Sequence, residues 1–243
     1  MIQKIVFLIV VFLTNIIQCI TGFAGTVLAM PFSLMLVGYD IAKPILNVLG
    51  LAASAFIVIK EYKNIKVKEL SKILAFMILG MVISYFIKDF ASGYESILYK
   101  CLGAIIIVVA VFNAVLFYSK KEMPEPNIIL SIIILIGAGI VHGLFVCGGM
   151  LVVIYANAKF KEKSEFRATL SAVWLVLNSI ILVSDIRAGY MVKDTLVLLL
   201  ISLAVLAGSL IVGNLIYKKM SRSVFLQLTY ALMIISGVSL LVK

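Results

Sequence analysis

The 243-residue chain is short of charge: Asp, Glu, Lys and Arg make up 13% of it, with 11 acidic residues against 21 basic ones. None of the acidic residues falls deep inside a hydrophobic run. This excludes a proton relay or a sodium site built on intramembrane carboxylates. There is one histidine and there are three cysteines, Cys19, Cys101 and Cys147, without metal or disulfide spacing. No GxxxxGK[ST] loop is present, so ATP does not drive the protein directly. HExxH and GxSxG are absent too, and an intramembrane hydrolase would need some such set. The expectation is a protein that is not an enzyme, with no catalytic residue, no metal site and no cofactor.

Hydrophobic residues, by contrast, make up 64% of the chain. Soluble domains do not reach that fraction. Apolar runs long enough to cross a bilayer lie at 44–59, 72–87, 97–118, 168–184, 195–217 and 224–242. The longest polar loops, 60–72 and 159–167, are too short to fold by themselves. Residues 1–243 therefore read as a single transmembrane domain of a multi-pass cell-membrane protein. Residues 1–19 imitate a signal peptide but lack its small-residue cleavage site, and they read as a retained segment. The net charge of +10 would suggest nucleic acid in a soluble protein. Here the basic residues sit in short loops, as cytoplasmic loops collect them, so no nucleic-acid partner is expected.

Two of the apolar runs are interrupted by glycine. The first, 5–38, contains Gln18-Cys19-Ile20-Thr21-Gly22-Phe23-Ala24-Gly25. The second, 128–158, contains Gly137-Ala138-Gly139-Ile140-Val141-His142-Gly143 and continues to Gly148-Gly149. A helix broken at membrane depth is tolerated only where protein or a water-filled cavity surrounds it. Matched breaks in two halves of a chain point to a transporter's substrate site. Sliding the sequence on itself by 124 positions places Gly25 on Gly149, Gln18 on His142, Lys43 on Arg167, Asn47 on Ser171, Ser54 on Asn178 and Glu61 on Asp185. The chain reads as repeat one (1–118), a charged linker with two prolines (119–127) and repeat two (128–243).

Positive charge sets the expected orientation. Loops 60–72, 119–127, 159–167 and 217–223 are basic, whereas 39–43, 88–96 and 185–194 are not. The basic loops are placed in the cytoplasm. This requires each broken stretch to be a re-entrant hairpin followed by three crossings, so that the halves are inverted. If residues 5–20 cross fully, eight spans result instead.

Short helices should restart near Thr26 and Gly149. Their first amides lack intrahelical partners and carry the positive end of the helix dipole. Two such ends facing each other would cradle an anion. The competing reading is close helix packing, for which Gly139-x-x-x-Gly143 is a motif. Asn47 and Ser54 share one helix face, as do Ser171, Trp174 and Asn178. Both stripes could donate to substrate oxygens or simply bond between helices. The candidate substrate-binding set is Gln18, Thr21, Gly22, Gly25, Thr26, Asn47, Ser54, His142, Gly148, Gly149, Ser171, Trp174 and Asn178. Lys43 and Arg167 could draw anions to each entrance or anchor the spans by snorkelling. His142 could carry a coupling proton, while Gln18 at the matching position cannot.

The breaks Gly22-Phe23-Ala24-Gly25, followed by Pro31, and Gly148-Gly149 resemble the sulfite exporter TauE/SafE family over nearly the whole chain. Tyr155 departs from that pattern, standing where a proline is common, and one glycine of the second run is missing. The resemblance implies a multipass transporter of sulfite, sulfoacetate or related sulfur-containing or carboxylate anions. The expected activity is secondary transport of small anions by alternating access. A channel-like anion facilitator and an intramembrane enzyme or assembly factor are the alternatives. The expected partners are the anion and the lipid bilayer, and the sequence leaves the oligomeric state open.

Overall fold

The computed structural model describes residues 2–91, 95–119, 126–146 and 148–242. Among the described residues the chain is helical and contains no strand. The helices are α1 (Ile2–Thr21), α2 (Ala24–Val37), α3 (Tyr39–Glu61), α4 (Val67–Ala91), α5 (Glu95–Tyr118), α6 (Ile128–Phe145), α7 (Gly149–Lys159), α8 (Lys163–Arg187), α9 (Lys193–Lys219) and α10 (Arg222–Leu241). Of the expected linker, 120–125 lie outside the described residues, as does Cys147.

Among the described residues, six helices are long and apolar enough to cross a membrane: α1, α3, α4, α8, α9 and α10. At 1.5 Å per residue, the 20 residues of α1 extend about 30 Å, enough for the hydrocarbon core. The 14 residues of α2 and the 11 of α7 are not. The order of elements recurs at the 124-position offset: α3 starts at Tyr39 and α8 at Lys163, and α1 to α5 match α6 to α10 in turn. The sequence expects a span from 44, where Pro44 stands, but α3 already begins at Tyr39. Its turn of origin is Gly38, whose φ of 78° joins it directly to α2.

Local chemistry marks several starts. The Asn127 side chain accepts a hydrogen bond from the Leu130 amide, opening α6. Ser221 accepts from the Val224 amide, opening α10. Each satisfies one of the amides that a helix start leaves without a partner.

The described helices gather into two compact units, and each unit draws on both halves of the sequence. One comprises Met1–Leu70 and Arg167–Met220. There α1 packs on α9: a Cβ on Gly213 would stand 2.7 Å from the Cβ of Cys19 and 2.9 Å from the carbonyl oxygen of Ile16. The other comprises Ser71–Phe166 and Ser221–Lys243. There α4 packs on α6, the equivalent pair at the repeat offset. A Cβ on Gly80 would collide with the Ile136 carbonyl, and one on Gly139 with the Met77 carbonyl. Gly143 lies against the Ser84 side chain in the same way.

Gly137, Gly139 and Gly143 thus sit inside an unbroken α6. For Gly139 and Gly143 the close-packing reading is correct, because small residues let helix backbones approach where no hydrophobic force holds them together. Replacing Gly139 by leucine is expected to wedge α6 from α4, at about 1–3 kcal/mol or more for overpacking. Thermal unfolding of the purified protein in detergent measures it. An unchanged midpoint would mean the two helices do not depend on this contact.

Candidate functional site

Both breaks are present, at equivalent positions. α1 ends at Gly22, with φ of 81°, and its amide donates to the Gln18 carbonyl at 2.8 Å. α6 ends at Val146, with φ of 56°, and its amide donates to the His142 carbonyl at 2.8 Å. Gly22 and Val146 are 124 apart, as are Gln18 and His142. Glycine takes the left-handed conformation freely, whereas a β-branched residue there is an outlier. The second chain reversal therefore falls on a valine, which no reading of glycines would have selected.

Contrary to the expectation from sequence, the first break does not leave its amides open. Thr21 Oγ1 accepts from the amides of Phe23 at 3.4 Å and Ala24 at 3.2 Å. Gln18 Oε1 accepts from the Gly25 amide at 2.8 Å. Gln18 and Thr21 are buried and serve here as caps for α2, because a buried amide without a partner is costly. Gly25 permits this: a Cβ there would collide with the Gln18 side chain and stand 2.8 Å from the Thr14 carbonyl. At the second break His142, Gly148 and Gly149 are buried, and Gly148 abuts α6, where a Cβ would stand 2.7 Å from the His142 Cβ.

The polar stripes of α3 and α8 lie in one unit and face each other. The two helices run antiparallel, and two ion pairs fix their register. Lys43 Nζ meets Asp185 Oδ1 at 2.7 Å, joining the start of α3 to the end of α8. Arg167 Nη1 meets Glu61 Oε1 at 2.7 Å, joining the start of α8 to the end of α3. The entrance cations of the sequence reading are therefore each matched to a carboxylate and largely buried. Side-chain exposure is 13% for Lys43, 0% for Asp185, 1% for Arg167 and 16% for Glu61. The sequence places Asp185 in a loop, but α8 carries it on to Arg187.

Between these pairs, the Asn47 side chain donates to the Asn178 carbonyl at 3.2 Å. Asn47 Oδ1, Ser54 Oγ, Ser171 Oγ and Asn178 Oδ1 are buried without a hydrogen-bond partner among the described residues. Buried polar atoms are ordinarily satisfied by protein or water, so an unsatisfied group calls for an explanation. The four positions exchange under the repeat offset, Asn47 with Ser171 and Ser54 with Asn178.

The first break borders this row. A Cβ on Gly22 would stand 3.3 Å from Ser171 Oγ and 3.0 Å from the Arg167 carbonyl. Thr26 is partly exposed, and its hydroxyl lies 3.3 Å from the equivalent point on Gly50, which also lies 3.0 Å from Asn178 Nδ2. Trp174 is buried on α8. Of the sequence-derived set, the structure thus gathers Gly22, Thr26, Asn47, Ser171 and Asn178 around contacts of α3 and α8, with Ser54 in the same row. His142, Gly148 and Gly149 belong to the other unit.

Two residues escaped the sequence reading. Ser33 Oγ on α2 and both amide atoms of Asn157 on α7 are buried without a partner among the described residues. They too are 124 apart. The same offset that flagged the α3 and α8 stripes would have found them on the short helices.

Comparison with curated proteins and with solved structures finds no match. The family model described as "Sulfite exporter TauE/SafE" matches residues 7–240, nearly the full chain. With a helical fold, membrane-length apolar helices and both chain breaks in place, the chain belongs to the sulfite exporter TauE/SafE family.

Proposed function

We propose that this multipass membrane protein carries small anions of sulfite, sulfonate or carboxylate type by alternating access of two inverted repeats. The observation that carries the reading is the row of Asn47, Ser54, Ser171 and Asn178. It is a buried set of neutral polar groups with unused hydrogen-bonding capacity, beside a broken helix. Serine hydroxyls and rotated asparagine amides can donate to an oxyanion, and they replace water around it. Polar groups inside a membrane bundle face its interior or a water-filled path. The antiparallel course of α3 and α8, equivalent helices of the two halves, supports the inverted arrangement.

The basic loops at 60–72 and 159–167 assign the Arg167–Glu61 end to the cytoplasm, and the loop at 185–194 assigns the Lys43–Asp185 end to the outside. Whether α1 crosses fully or forms one limb of a re-entrant hairpin is tested by thiol labelling of its first residues from either side. This reading assigns no catalytic group to the chain.

The test is flux in proteoliposomes of sulfite, sulfoacetate, thiosulfate and small carboxylates, with and without a pH gradient. The expected result is saturable uptake of one of these anions. Absence of flux for all of them would overturn the reading, and non-saturating flux would favour a facilitator. Asn47→Leu and Asn178→Leu are each expected to weaken affinity about five- to tenfold, in line with about 1–1.5 kcal/mol for a lost hydrogen bond. Unchanged affinity would place the path elsewhere. His142→Gln, which gives the second break the residue of the first, is expected to abolish any dependence on the pH gradient if His142 carries the coupling proton.

A further inference from the structure

The two ion pairs of α3 and α8 have a relation that neither stability nor recruitment of anions explains. Displacing Lys43 by 124 positions gives Arg167, and displacing Glu61 by the same amount gives Asp185. The pair Lys43–Asp185 therefore becomes the pair Arg167–Glu61. The two contacts are one contact made twice, once at each end of an antiparallel helix pair. Each brings a nearly buried partner, Asp185 or Arg167, out of water. Taking charges from water commonly offsets their attraction, so a buried pair is a poor device for stability alone. Its better-attested use is to specify one arrangement out of two.

We propose that Lys43–Asp185 and Arg167–Glu61 are twin latches, one at each end of the α3–α8 row, that open alternately, the Lys43 latch more readily. This deepens the alternating-access reading and rests on it. In two inverted halves, the conformations of the halves exchange when the access side changes. A contact and its repeat-related copy then exchange states as well.

The surroundings set the order of opening. The Arg167 guanidinium is held from three sides, by Glu61, by Cys19 Sγ at 3.5 Å and by the Tyr217 ring 3.8 Å below. A planar cation stacked and forked in this way is hard to remove. Lys43 lies farther from its rings, 5.9 Å from Tyr39 and 5.4 Å from Tyr190, and is more exposed than Arg167. Water reaches the ammonium first, and an ammonium gains more from hydration than a guanidinium does. Because an incoming anion competes with the carboxylate for the cation, a substrate of the correct sign helps release each latch.

The experiment uses the full chain in proteoliposomes with Cys101 and Cys147 replaced by serine, the buried Cys19 kept in its contact with Arg167, and one reporter cysteine. Asn47→Cys lies one turn from Lys43, and Ser171→Cys one turn from Arg167. A membrane-impermeant maleimide is applied from either side. In the parent chain, Asn47→Cys is expected to react faster than Ser171→Cys. Lys43→Gln with Asp185→Asn removes one latch without stranding a charge. It is expected to speed labelling at Asn47→Cys and slow it at Ser171→Cys, each by about tenfold, a common size for coupling between two places in a protein. Arg167→Gln with Glu61→Gln is expected to do the reverse.

If both reporters speed up together in either variant, the pairs are merely structural and the proposal falls. It falls equally if neither rate moves. Anion flux of the parent chain, measured in parallel, separates the two claims. Flux without reciprocal labelling removes the latches and keeps transport. Reciprocal labelling without flux of any anion keeps the latches and removes transport.

Discussion

Replacing Gly22 by leucine is expected to abolish anion flux while the protein still reaches the membrane. The residue has φ of 81°, a conformation that costs an L-residue about 1–2 kcal/mol. A Cβ there would also stand 3.0 Å from the Arg167 carbonyl and 3.3 Å from both Arg167 Cα and Ser171 Oγ. Those are backbone and buried side-chain atoms of α8, which cannot swing aside as the end of a lysine could. A leucine would therefore press α8 away from the break and disturb the row that begins at Ser171. Overpacking of this kind adds about 1–3 kcal/mol.

Gly38→Ala provides the control. Gly38 has nearly the same φ, 78°, but nothing stands within 4 Å of the Cβ position. It carries the conformational cost without the crowding, and its flux is expected to fall far less. Flux normalised to reconstituted protein decides the matter. Normal transport by Gly22→Leu would show that the closeness of the first break to α8 has no functional weight.

Replacing Lys43 by methionine is expected to be among the most destabilising single changes in the chain. Asp185 is fully buried, and its Oδ1 loses its cation. Removing one partner of a buried pair costs about 3–5 kcal/mol, because the stranded charge must be neutralised or hydrated. Adding Asp185→Leu to the first change removes the stranded charge and should recover most of the loss, since an apolar pair of similar volume is often no worse than the ion pair. Thermal or denaturant unfolding of the single and double variants in detergent measures the recovery. Additive losses, with no rescue, would mean that Lys43 and Asp185 do not act as a pair. Asp185→Leu alone strands a lysine that is 13% exposed and can reach water along its flexible stem, so its cost should be smaller.

Much of this architecture is legible in the sequence, for reasons that are local. Apolar runs of membrane length force helices, because a backbone in lipid must satisfy its own hydrogen bonds. The polar and glycine positions that recur after 124 residues mark equivalent places without knowledge of their contacts, and helix starts such as Tyr39 and Lys163 follow the same spacing. The breaks were legible in position but not in detail. Glycines cluster at 137–149, yet the chain turns at Val146, and Gly139 and Gly143 are packing surfaces. A glycine suits a turn and a close approach equally well, and only the neighbouring helix tells the two apart.

Composition and the spacing of polar residues decided that the chain is helical, membrane-embedded and twofold in its pattern. These properties follow from short-range chemistry and the solvent around it. The tertiary structure decided the rest. It showed that Gln18 and Thr21 close the amides of α2, that the distant α9 packs on α1 as its sequence neighbour α2 does, and that Lys43 meets a carboxylate 142 residues away. Such pairings depend on the register of one helix against another. That register is set by many weak contacts acting together, and no single stretch of sequence contains it.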